Sequence, residues 1–189
     1  SALLSKLKNP RFAYIAPTFK QAKSIAWDYM KQFTAKIPHT KFNETELRVD
    51  LPNGSRITLL GSESPDGLRG IYLDGCVIDE YANVNSKLFP EIIRPALSDR
   101  KGYCVFIGTP MGMNNNFYEL YQHAQGAEDW FNYKAKASDT KIVDDDELVK
   151  AKEVMGEKKY NQEFECDWIA NIEGAVYGDV IAKLDDDKQ

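Results

Sequence analysis

Two nearly continuous apolar runs constrain the fold of this chain more than any other feature of its sequence. Residues 75–78 are Gly-Cys-Val-Ile, and residues 103–108 are Tyr-Cys-Val-Phe-Ile-Gly. Runs that are apolar throughout are typical of strands covered on both faces of a parallel sheet. Parallel neighbours need a crossover connection, and residues 85–100 supply one with helical spacing, which Pro90 and Pro95 are expected to break or kink.

Shorter patterns on either side of these runs complete an alternation of strands and helices. The spacing of apolar residues predicts a strand over residues 11–17, ended by Pro17, and a helix over residues 19–37. Further helices are predicted over residues 114–124 and 144–155, because each begins with Asn or Asp, which cap helix N-termini. This alternation predicts an α/β fold of three layers around a mostly parallel central sheet.

A tight hairpin and one more strand are also predicted. Residues 46–51 alternate between apolar and polar side chains, and residues 56–60 form a second apolar run. Asn53-Gly54 lies between them and supplies the positive φ angles that a tight hairpin needs. Residues 129–137 are predicted to form a further strand.

Two adjacent carboxylates, Asp79 and Glu80, directly follow the first apolar run. Open α/β sheets bind ligands beyond the carboxyl ends of their strands, so the pair stands where a nucleotide would bind. There Asp79 could hold Mg²⁺, usually through water, and Glu80 could orient or deprotonate the attacking water. Successive side chains of a strand alternate between faces, so Glu80 must lie past the strand, where the backbone turns. The alternative is a strand that ends in two solvated acids.

A second group of candidate residues ends the other apolar run. Gly108, Thr109 and Pro110 follow it directly. If one crossover joins the two strands, they are neighbours, and the hydroxyl of Thr109 could report on the γ-phosphate of a bound nucleotide. The alternative is an ordinary strand-to-loop turn, in which Gly and Pro are common.

Arg69 is the third candidate, in a loop that leads towards the acids. It lies between Gly67 and Gly70, and glycine lets the backbone approach another surface closely. A guanidinium can bind a phosphate through two parallel hydrogen bonds. Arg69 could therefore complete the ATP site of a neighbouring subunit as an arginine finger. The alternative is a solvated loop arginine.

Taken in order, four segments of the chain resemble the ATPase domain of the large terminase subunit, the DNA-packaging motor of tailed bacteriophages and prophages. They are residues 14–30, 51–82, 93–112 and 160–178. The resemblance covers nearly the whole chain and implies a P-loop NTPase fold of the ASCE, RecA-like type. It also implies ATP and Mg²⁺ as cofactors, and hydrolysis that drives viral DNA into a procapsid.

The same resemblance implies roles for individual residues. Asp79 and Glu80 match the Walker B pair, which is the magnesium-associated aspartate and the catalytic glutamate. Gly108, Thr109 and Pro110 match the motif that couples hydrolysis to movement, and of these Gly108 and Thr109 are implied to bind the nucleotide. Arg69 resembles the arginine finger that acts across a ring of subunits.

One motif of that family is absent from this sequence. No Gly-Lys dipeptide occurs in the 189 residues, so they contain no GxxxxGK[ST] phosphate loop. We expect the first strand of the fold and its phosphate loop to precede residue 1, and this N-terminally truncated chain to be inactive alone. Residues 1–171 are predicted to form a partial ATPase domain. Residues 172–189 are predicted to be a linker towards a metal-dependent nuclease domain.

The resemblance further implies partners and a location. The partners are double-stranded viral DNA, the portal and procapsid, the small terminase subunit, and further copies of the subunit in a ring, all in the host bacterial cytoplasm. The net charge of −5 argues against a generally basic nucleic-acid coat. No membrane partner is expected, since the apolar stretches are too short to span a bilayer. The three scattered cysteines are expected to be reduced, buried thiols.

Two other functions fit part of the pattern. A superfamily-2-type helicase also uses an APT-like segment and adjacent Asp-Glu, but its signature continues Asp-Glu-x-His or Asp-Glu-x-Asp. Here Asp79-Glu80 is followed by Tyr81-Ala82, which disfavours a helicase. A catalytically dead scaffold that contacts only DNA or the procapsid is an alternative of another class. It would be favoured if the complete gene also lacked a phosphate loop.

Overall fold

The computed structural model of the chain describes residue 2 and residues 7–168. The chain divides into two compact units, Ser1–Gly108 and Thr109–Gln189. The predicted linker of residues 172–189 lies outside the described residues, so the boundary after residue 171 stays a prediction.

A six-stranded sheet forms the centre of the first unit. Its strands are β1 (Arg11–Ala16), β2 (Lys41–Asn43), β3 (Arg48–Asp50), β4 (Arg56–Gly61), β5 (Gly75–Ile78) and β6 (Tyr103–Phe106). They lie in the order β2-β3-β4-β1-β5-β6. β1 pairs in parallel with β4 and β5, and β5 pairs in parallel with β6, whereas β3 is antiparallel to both of its neighbours. The prediction of a mostly parallel sheet is confirmed.

The predicted helix after β1 is confirmed, with a wider turn in its middle. Pro17 ends the strand, and the hydroxyl of Thr18 caps the helix by accepting a hydrogen bond from the backbone N–H of Gln21 at 3.1 Å. The helix consists of α1 (Phe19–Ala22), a π-helical turn (Lys23–Trp27) and α2 (Asp28–Thr34). Trp27 is buried and packs in the core with Val49 and Leu59, which fixes the helix on one face of the sheet.

The predicted hairpin between β3 and β4 is also confirmed. Gly54 has a φ angle of +81°, which glycine adopts without steric cost. The backbone N–H of Leu51 donates to the carbonyl of Ser55 at 2.9 Å and closes the turn. β2, which extends the hairpin by one strand, was not predicted because its three residues, Lys-Phe-Asn, are too few to show a period.

The crossover between β5 and β6 covers the other face of the sheet. It contains a π-helical segment (Phe89–Ile93) that continues directly into α3 (Arg94–Ser98). Pro90 lies in the first turn of this helical run, where a missing N–H costs little, and Pro95 lies where the wider π-helical segment passes into α3. The chain therefore stays helical through both prolines, with a departure from regular α-helix before Pro95. The ring of Phe89 packs edge-on against Phe106 of β6 at 4.7 Å. Helices on both faces make the first unit three-layered, as predicted.

One edge of the sheet retains exposed apolar side chains, so the expectation that the run over residues 103–108 is covered on both faces is wrong. β6 is the last strand in the sheet order, and Tyr103, Val105 and Ile107 are 47%, 42% and 42% exposed. Alternate residues of a strand share a face. The register places Val105 level with Val77 and Tyr14, on the face that α1 and α2 cover at β4.

The described part of the second unit is helical. It contains α4 (Asn116–Ala124), α5 (Ala137–Thr140), α6 (Asp145–Met155) and α7 (Glu157–Phe164). The predicted helices over residues 114–124 and 144–155 are thus confirmed. The side chain of Asn115 caps α4, since its Oδ1 accepts hydrogen bonds from the N–H groups of Phe117 and Tyr118. The ring of Trp168 packs edge-on against both of these residues.

The predicted strand over residues 129–137 is wrong. Residues 129–136 have no regular secondary structure, and α5 begins at Ala137. A strand needs a neighbouring strand for its backbone hydrogen bonds, and the described part of the second unit contains none. Phe131 and Tyr133, which alternate as strand residues would, are 88% and 71% exposed.

All three cysteines, which lie within the described residues, are free thiols. Cys76 is buried, whereas Cys104 and Cys166 are half-buried, so the prediction of buried thiols holds fully for Cys76 alone. Cys76 and Cys104 face each other across β5 and β6 with 3.4 Å between their Sγ atoms. This contact and burial raise the pKa of the Cys104 thiol, which keeps the thiol protonated.

A buried carboxylate joins the starts of the central strands. Asp74 precedes β5, and its side chain is 1% exposed. Its Oδ2 accepts the backbone N–H of Arg11 at 2.8 Å, and its Oδ1 accepts Nη1 of Arg100 at 3.2 Å. One side chain therefore connects β1, β5 and the turn that leads into β6.

We expect Asp74→Ala to lower the free energy of unfolding by about 1–3 kcal/mol, because the N–H of Arg11 and the guanidinium of Arg100 lose their acceptor. Urea denaturation followed by circular dichroism measures the change. Asp99→Ala, which removes an exposed carboxylate nearby, is the control and should stay within about 0.5 kcal/mol of the parent. Equal effects of the two substitutions would contradict this account of Asp74.

Candidate active site

Asp79 lies directly beyond the end of β5, at the carboxyl edge of the sheet. Its backbone N–H donates to the carbonyl of Ile15 on β1 at 2.8 Å, so the parallel pairing of the two strands continues to residue 79. β5 has β1 on one side and β6 on the other. The position predicted for Asp79, at the carboxyl end of a central strand, is the one that the structure has.

Both oxygens of the Asp79 carboxylate accept hydrogen bonds. The phenol O–H of Tyr14 donates to Oδ2 in a short contact, and the backbone N–H of Glu80 donates to Oδ1 at 2.8 Å. The first bond reaches across from β1, and the second comes from the next residue in the chain. Together they fix the rotation of the carboxylate, which is half-buried.

Tyr14 is a site residue that the sequence did not reveal. Burial raises the pKa of its phenol, and the hydrogen bond to Asp79 and the negative charges of Asp79 and Glu80 raise the same pKa further. The phenol is therefore protonated at neutral pH and acts as a hydrogen-bond donor. Its contact with Asp79 spans 65 residues of chain, so no local pattern could indicate it.

Glu80 occupies a left-handed turn, which confirms that it lies past the strand. Its φ and ψ angles are +49° and +44°, a conformation that costs a residue with a side chain about 1–3 kcal/mol. A short 3-10 helix (Tyr81–Asn83) follows. Buried Tyr81 fixes the residue after the turn. Its N–H donates to the carbonyl of Ile107 at 3.1 Å, and its ring packs edge-on against Phe106 with 4.8 Å between the ring centroids.

An open, largely apolar cleft of about 470 Å³ adjoins the carboxylate of Asp79. Its lining residues are Tyr14, Ile25, Ala26, Tyr29, Met30, Phe33 and Asp79. Tyr29 and Phe33, which stack at 6.2 Å on the helix, are 59% and 75% exposed. The helical spacing of these apolar residues was correctly predicted. The side of the helix that enters the core carries Ala22 and Trp27, and Ala26 and Met30 of the cleft also pack against that core.

Gly108 and Thr109 lie at the junction between the two units. The N–H of Ile107 donates to the carbonyl of Ile78 at 3.0 Å, so the pairing of β5 with β6 continues to the residue before Gly108. Gly108 is the last residue of the first unit, and Thr109 is the first residue of the second. The predicted place of Thr109 beside the acids stays a prediction.

Arg69 follows a short 3-10 helix (Pro65–Leu68), and its side chain is 56% exposed. Its Nε donates to Oδ1 of Asp66 at 2.8 Å, and its Nη2 donates to Oε2 of Glu91 at 3.5 Å. Gly70 has a φ angle of +84°, and a Cβ atom added at Gly67 or Gly70 would meet no atom within 4 Å. The loop is therefore open to an approaching surface on both sides of the arginine.

The residues of the site suit a Mg²⁺ ion whose other ligands are water molecules and phosphate oxygens. Within the described residues, no three His, Cys, Asp or Glu side chains are grouped to hold a metal ion. Mg²⁺ in nucleotide sites usually keeps several waters and takes only one or two protein carboxylates, with phosphate oxygens as the other ligands. The single carboxylate of Asp79 meets that requirement, because each of its oxygens has a second lone pair.

One protein family matches most of this chain. The family described as terminase large subunit, T4likevirus-type, N-terminal, matches residues 2–179 of this chain. Two curated relatives are the large terminase subunits of Thermus phage G20c and Thermus virus P23-45. Each is 30% identical to this chain over 126 residues. The match covers 57% of this chain and 26% of each relative, so the chain spans about a quarter of their length.

Solved structures share the fold. The ATPase domain of the large terminase of Thermus phage P74-26 superposes with a TM-score of 0.72 at 22% identity, over 88% of this chain and 79% of that domain. The large terminase of a second thermophilic bacteriophage gives a TM-score of 0.72 at 14% identity, over 86% of this chain and 42% of that protein. These likenesses confirm the predicted α/β fold.

We expect Glu80→Gly to be more stable than Glu80→Ala by about 1 kcal/mol, since only glycine adopts the left-handed turn without strain. Urea denaturation of both variants measures the difference. The control is the same pair of substitutions at Gln32, an exposed position of α2, where Ala should be the more stable by about 1 kcal/mol. The same sign at both positions would contradict a strained turn at Glu80.

Proposed function

Since this chain belongs to the terminase large subunit family, we propose that it is part of an ATP-driven motor that moves double-stranded viral DNA into a procapsid. The observation that carries the proposal is the acidic pair at the carboxyl end of β5. Asp79 is fixed there by hydrogen bonds to both of its oxygens, and Glu80 turns away from the strand in a left-handed conformation. A solvated strand end would need neither feature.

ATP and Mg²⁺ are the proposed cofactors. The large terminase of the second thermophilic bacteriophage, which shares the fold of this chain, has been solved in complex with ADP and with ATP-gamma-S. Mg²⁺, when bound, offsets the negative charge of the β- and γ-phosphates during phosphoryl transfer. In this chain Asp79 is the residue that would hold the ion, through water, beside the apolar cleft.

Glu80 is proposed as the general base. It accepts a proton from the water that attacks the γ-phosphorus, while the bond to the β–γ bridging oxygen breaks and ADP leaves with that oxygen. Base catalysis of this kind contributes about 10²–10⁴ in rate. The left-handed turn places Glu80 beyond the strand, while Asp79 remains hydrogen-bonded to Tyr14. The two acids can therefore have different roles.

Gly108 and Thr109 are proposed to couple hydrolysis to movement, with the hydroxyl of Thr109 as the sensor of the γ-phosphate. Arg69 is proposed to act on the ATP site of a neighbouring subunit. Its present ion pairs, with Asp66 and Glu91, are exposed. Exposed pairs contribute about 0–1 kcal/mol each, so a neighbour's phosphate can displace them.

The proposed partners are double-stranded viral DNA, the portal and procapsid, the small terminase subunit and further copies of the chain in a ring. The proposed location is the cytoplasm of the bacterial host. Within the part of the chain that the structure describes, no helix is long and apolar enough to cross a membrane. A nuclease activity, if present in the complete protein, is proposed to belong to a separate domain.

A catalytically dead scaffold is the competing function, and it would be favoured if the complete protein, like these 189 residues, had no phosphate loop. The 189 residues contain no Gly-Lys dipeptide, hence no phosphate loop of the usual type. A protein that only contacts DNA or the procapsid has no need of the geometry at Asp79 and Glu80. ATP turnover by the complete gene product separates the two functions directly.

In the complete protein, we expect Glu80→Gln to lower ATP turnover by about 10²–10⁴-fold while nucleotide binding stays intact, because the amide cannot accept the proton of the attacking water. Asp79→Asn should instead weaken magnesium-dependent nucleotide binding. Steady-state hydrolysis and titration with a fluorescent ATP analogue measure the two effects. Glu153→Gln, at an exposed position of α6, is the control. Near-normal turnover by Glu80→Gln would refute the role of Glu80.

For Arg69, the expected result of Arg69→Ala is loss of DNA-stimulated hydrolysis in the assembled motor, with normal ATP binding by the monomer. Arginine fingers contribute on the order of 10³–10⁵ in rate. Arg94→Ala, at an exposed position of α3, is the control for loss of positive charge.

A mixing experiment distinguishes action between subunits from action within one subunit. Arg69→Ala subunits keep Glu80, and Glu80→Gln subunits keep Arg69. An arginine that acts on its neighbour lets a mixture of the two recover part of the lost hydrolysis. No recovery, in mixtures shown to co-assemble, would contradict action between subunits.

A further inference from the structure

We propose that Tyr14 is a positioning residue for the acidic pair: its phenol O–H holds the carboxylate of Asp79 in the orientation that binds Mg²⁺. The contact between Tyr14 and Asp79 is seen in the structure. Its effect on Mg²⁺ binding rests on the proposed ATPase function. Tyr14 does not touch the reacting atoms. It acts through Asp79.

The pairing of β1 with β5 places the two side chains together. Tyr14 is level with Val77 in the parallel register, and Asp79 lies two residues beyond Val77. Side chains two residues apart in an extended chain share a face, and Asp79 is still in the ladder because its N–H donates to Ile15. Tyr14 and Asp79 therefore lie diagonally opposite on one face, where a long aromatic side chain reaches its neighbour.

The hydrogen bond of Tyr14 completes a two-point hold on the carboxylate. Tyr14 takes one lone pair of Oδ2, and the N–H of Glu80 takes one of Oδ1. A carboxylate has about four acceptor positions, so two remain for the metal or its bound water. Loss of the phenol O–H would leave Asp79 attached only to its own chain neighbour and free to rotate.

A tyrosine suits this task better than a cation would. A phenol is neutral, so it orients the carboxylate while the full negative charge remains available to Mg²⁺. A lysine or arginine in its place would form an ion pair with Asp79 and compete with the metal. The aromatic ring of Tyr14 also lines the apolar cleft, so the same side chain contributes to its floor.

Tyr29 provides a matched control within the same cleft. It also lines the cleft, but it lies on the helix and stacks on Phe33, with 59% of its surface exposed. Tyr29→Phe removes a phenol O–H from the cleft and leaves the hydrogen bond between Tyr14 and Asp79 intact. A difference between Tyr14→Phe and Tyr29→Phe therefore reports the hydrogen bond to Asp79.

The contact itself can be tested without any measurement of hydrolysis. The chain is labelled with ¹³C at the Cζ of tyrosine, whose NMR shift responds to the hydrogen bond of the phenol. The signal that Tyr14→Phe removes is that of Tyr14, among the 10 tyrosines of the chain. We expect Asp79→Asn to displace this signal and Tyr29→Phe to leave it in place. A Tyr14 signal unmoved by Asp79→Asn would overturn the inference.

The consequence is tested by the magnesium dependence of hydrolysis in the complete protein. Loss of a group that orients a metal ligand typically costs about 10–100-fold in metal affinity or activity. We expect Tyr14→Phe to raise the Mg²⁺ concentration for half-maximal turnover by about 10–100-fold, with most of the rate restored at saturating Mg²⁺. Tyr29→Phe should leave the Mg²⁺ concentration for half-maximal turnover unchanged. An equal loss of rate at every Mg²⁺ concentration would overturn the positioning role.

The two tests separate this inference from the proposed function. If the parent protein does not hydrolyse ATP, the proposed function fails, while the NMR experiment still decides whether Tyr14 holds Asp79. If the parent is active and the Tyr14→Phe variant keeps the parent's magnesium dependence, the proposed function stands and the inference fails.

Discussion

The parallel pairing of β1 with β5 is the interaction on which the rest of the first unit depends. It begins where Arg11 meets Asp74, two residues that lie 63 positions apart in the chain, and it sets the two strands side by side at the centre of the sheet. The hydrogen bonds between the two strands continue to the one between Ile15 and Asp79. The acidic pair therefore leaves the sheet at a fixed position beside the end of β1. The helix, the hairpin and the crossover then cover or extend a centre that these two strands define.

Much of the fold could be predicted because its central strands are buried on both faces, and burial of that kind is visible in composition. β5 was predicted for this reason, β1 from the spacing of its apolar residues, and the hairpin from the steric demand of its turn. β6 was located from its apolar run, although it is the edge strand and its Tyr103 and Val105 are exposed. β2 was missed because three mostly polar residues have no period. The strand over residues 129–137 was wrong because local composition cannot reveal whether a partner strand exists.

The acidic pair could be predicted because its position follows from the strand that precedes it. Even the turn at Glu80 follows from side-chain alternation, and the structure has it. Tyr14 could not be predicted, since its role arises from the register between strands and not from any neighbour in sequence. For the helix after β1, the sequence showed the local pattern but not the tertiary contact. Its apolar residues show the period plainly, but the period does not say whether Trp27 or Tyr29 enters the core.

The unequal edges of the sheet bear on how the chain behaves in concentrated solution. β2 blunts one edge, because it is only three residues long and carries Lys41. β6 carries no charged residue, and Val105 within it and Ile107 just beyond it are exposed. Edges of this second kind template the addition of a strand from another molecule. Aggregation of the isolated chain should therefore begin at β6, and Val105→Lys is the substitution by which to improve its solubility.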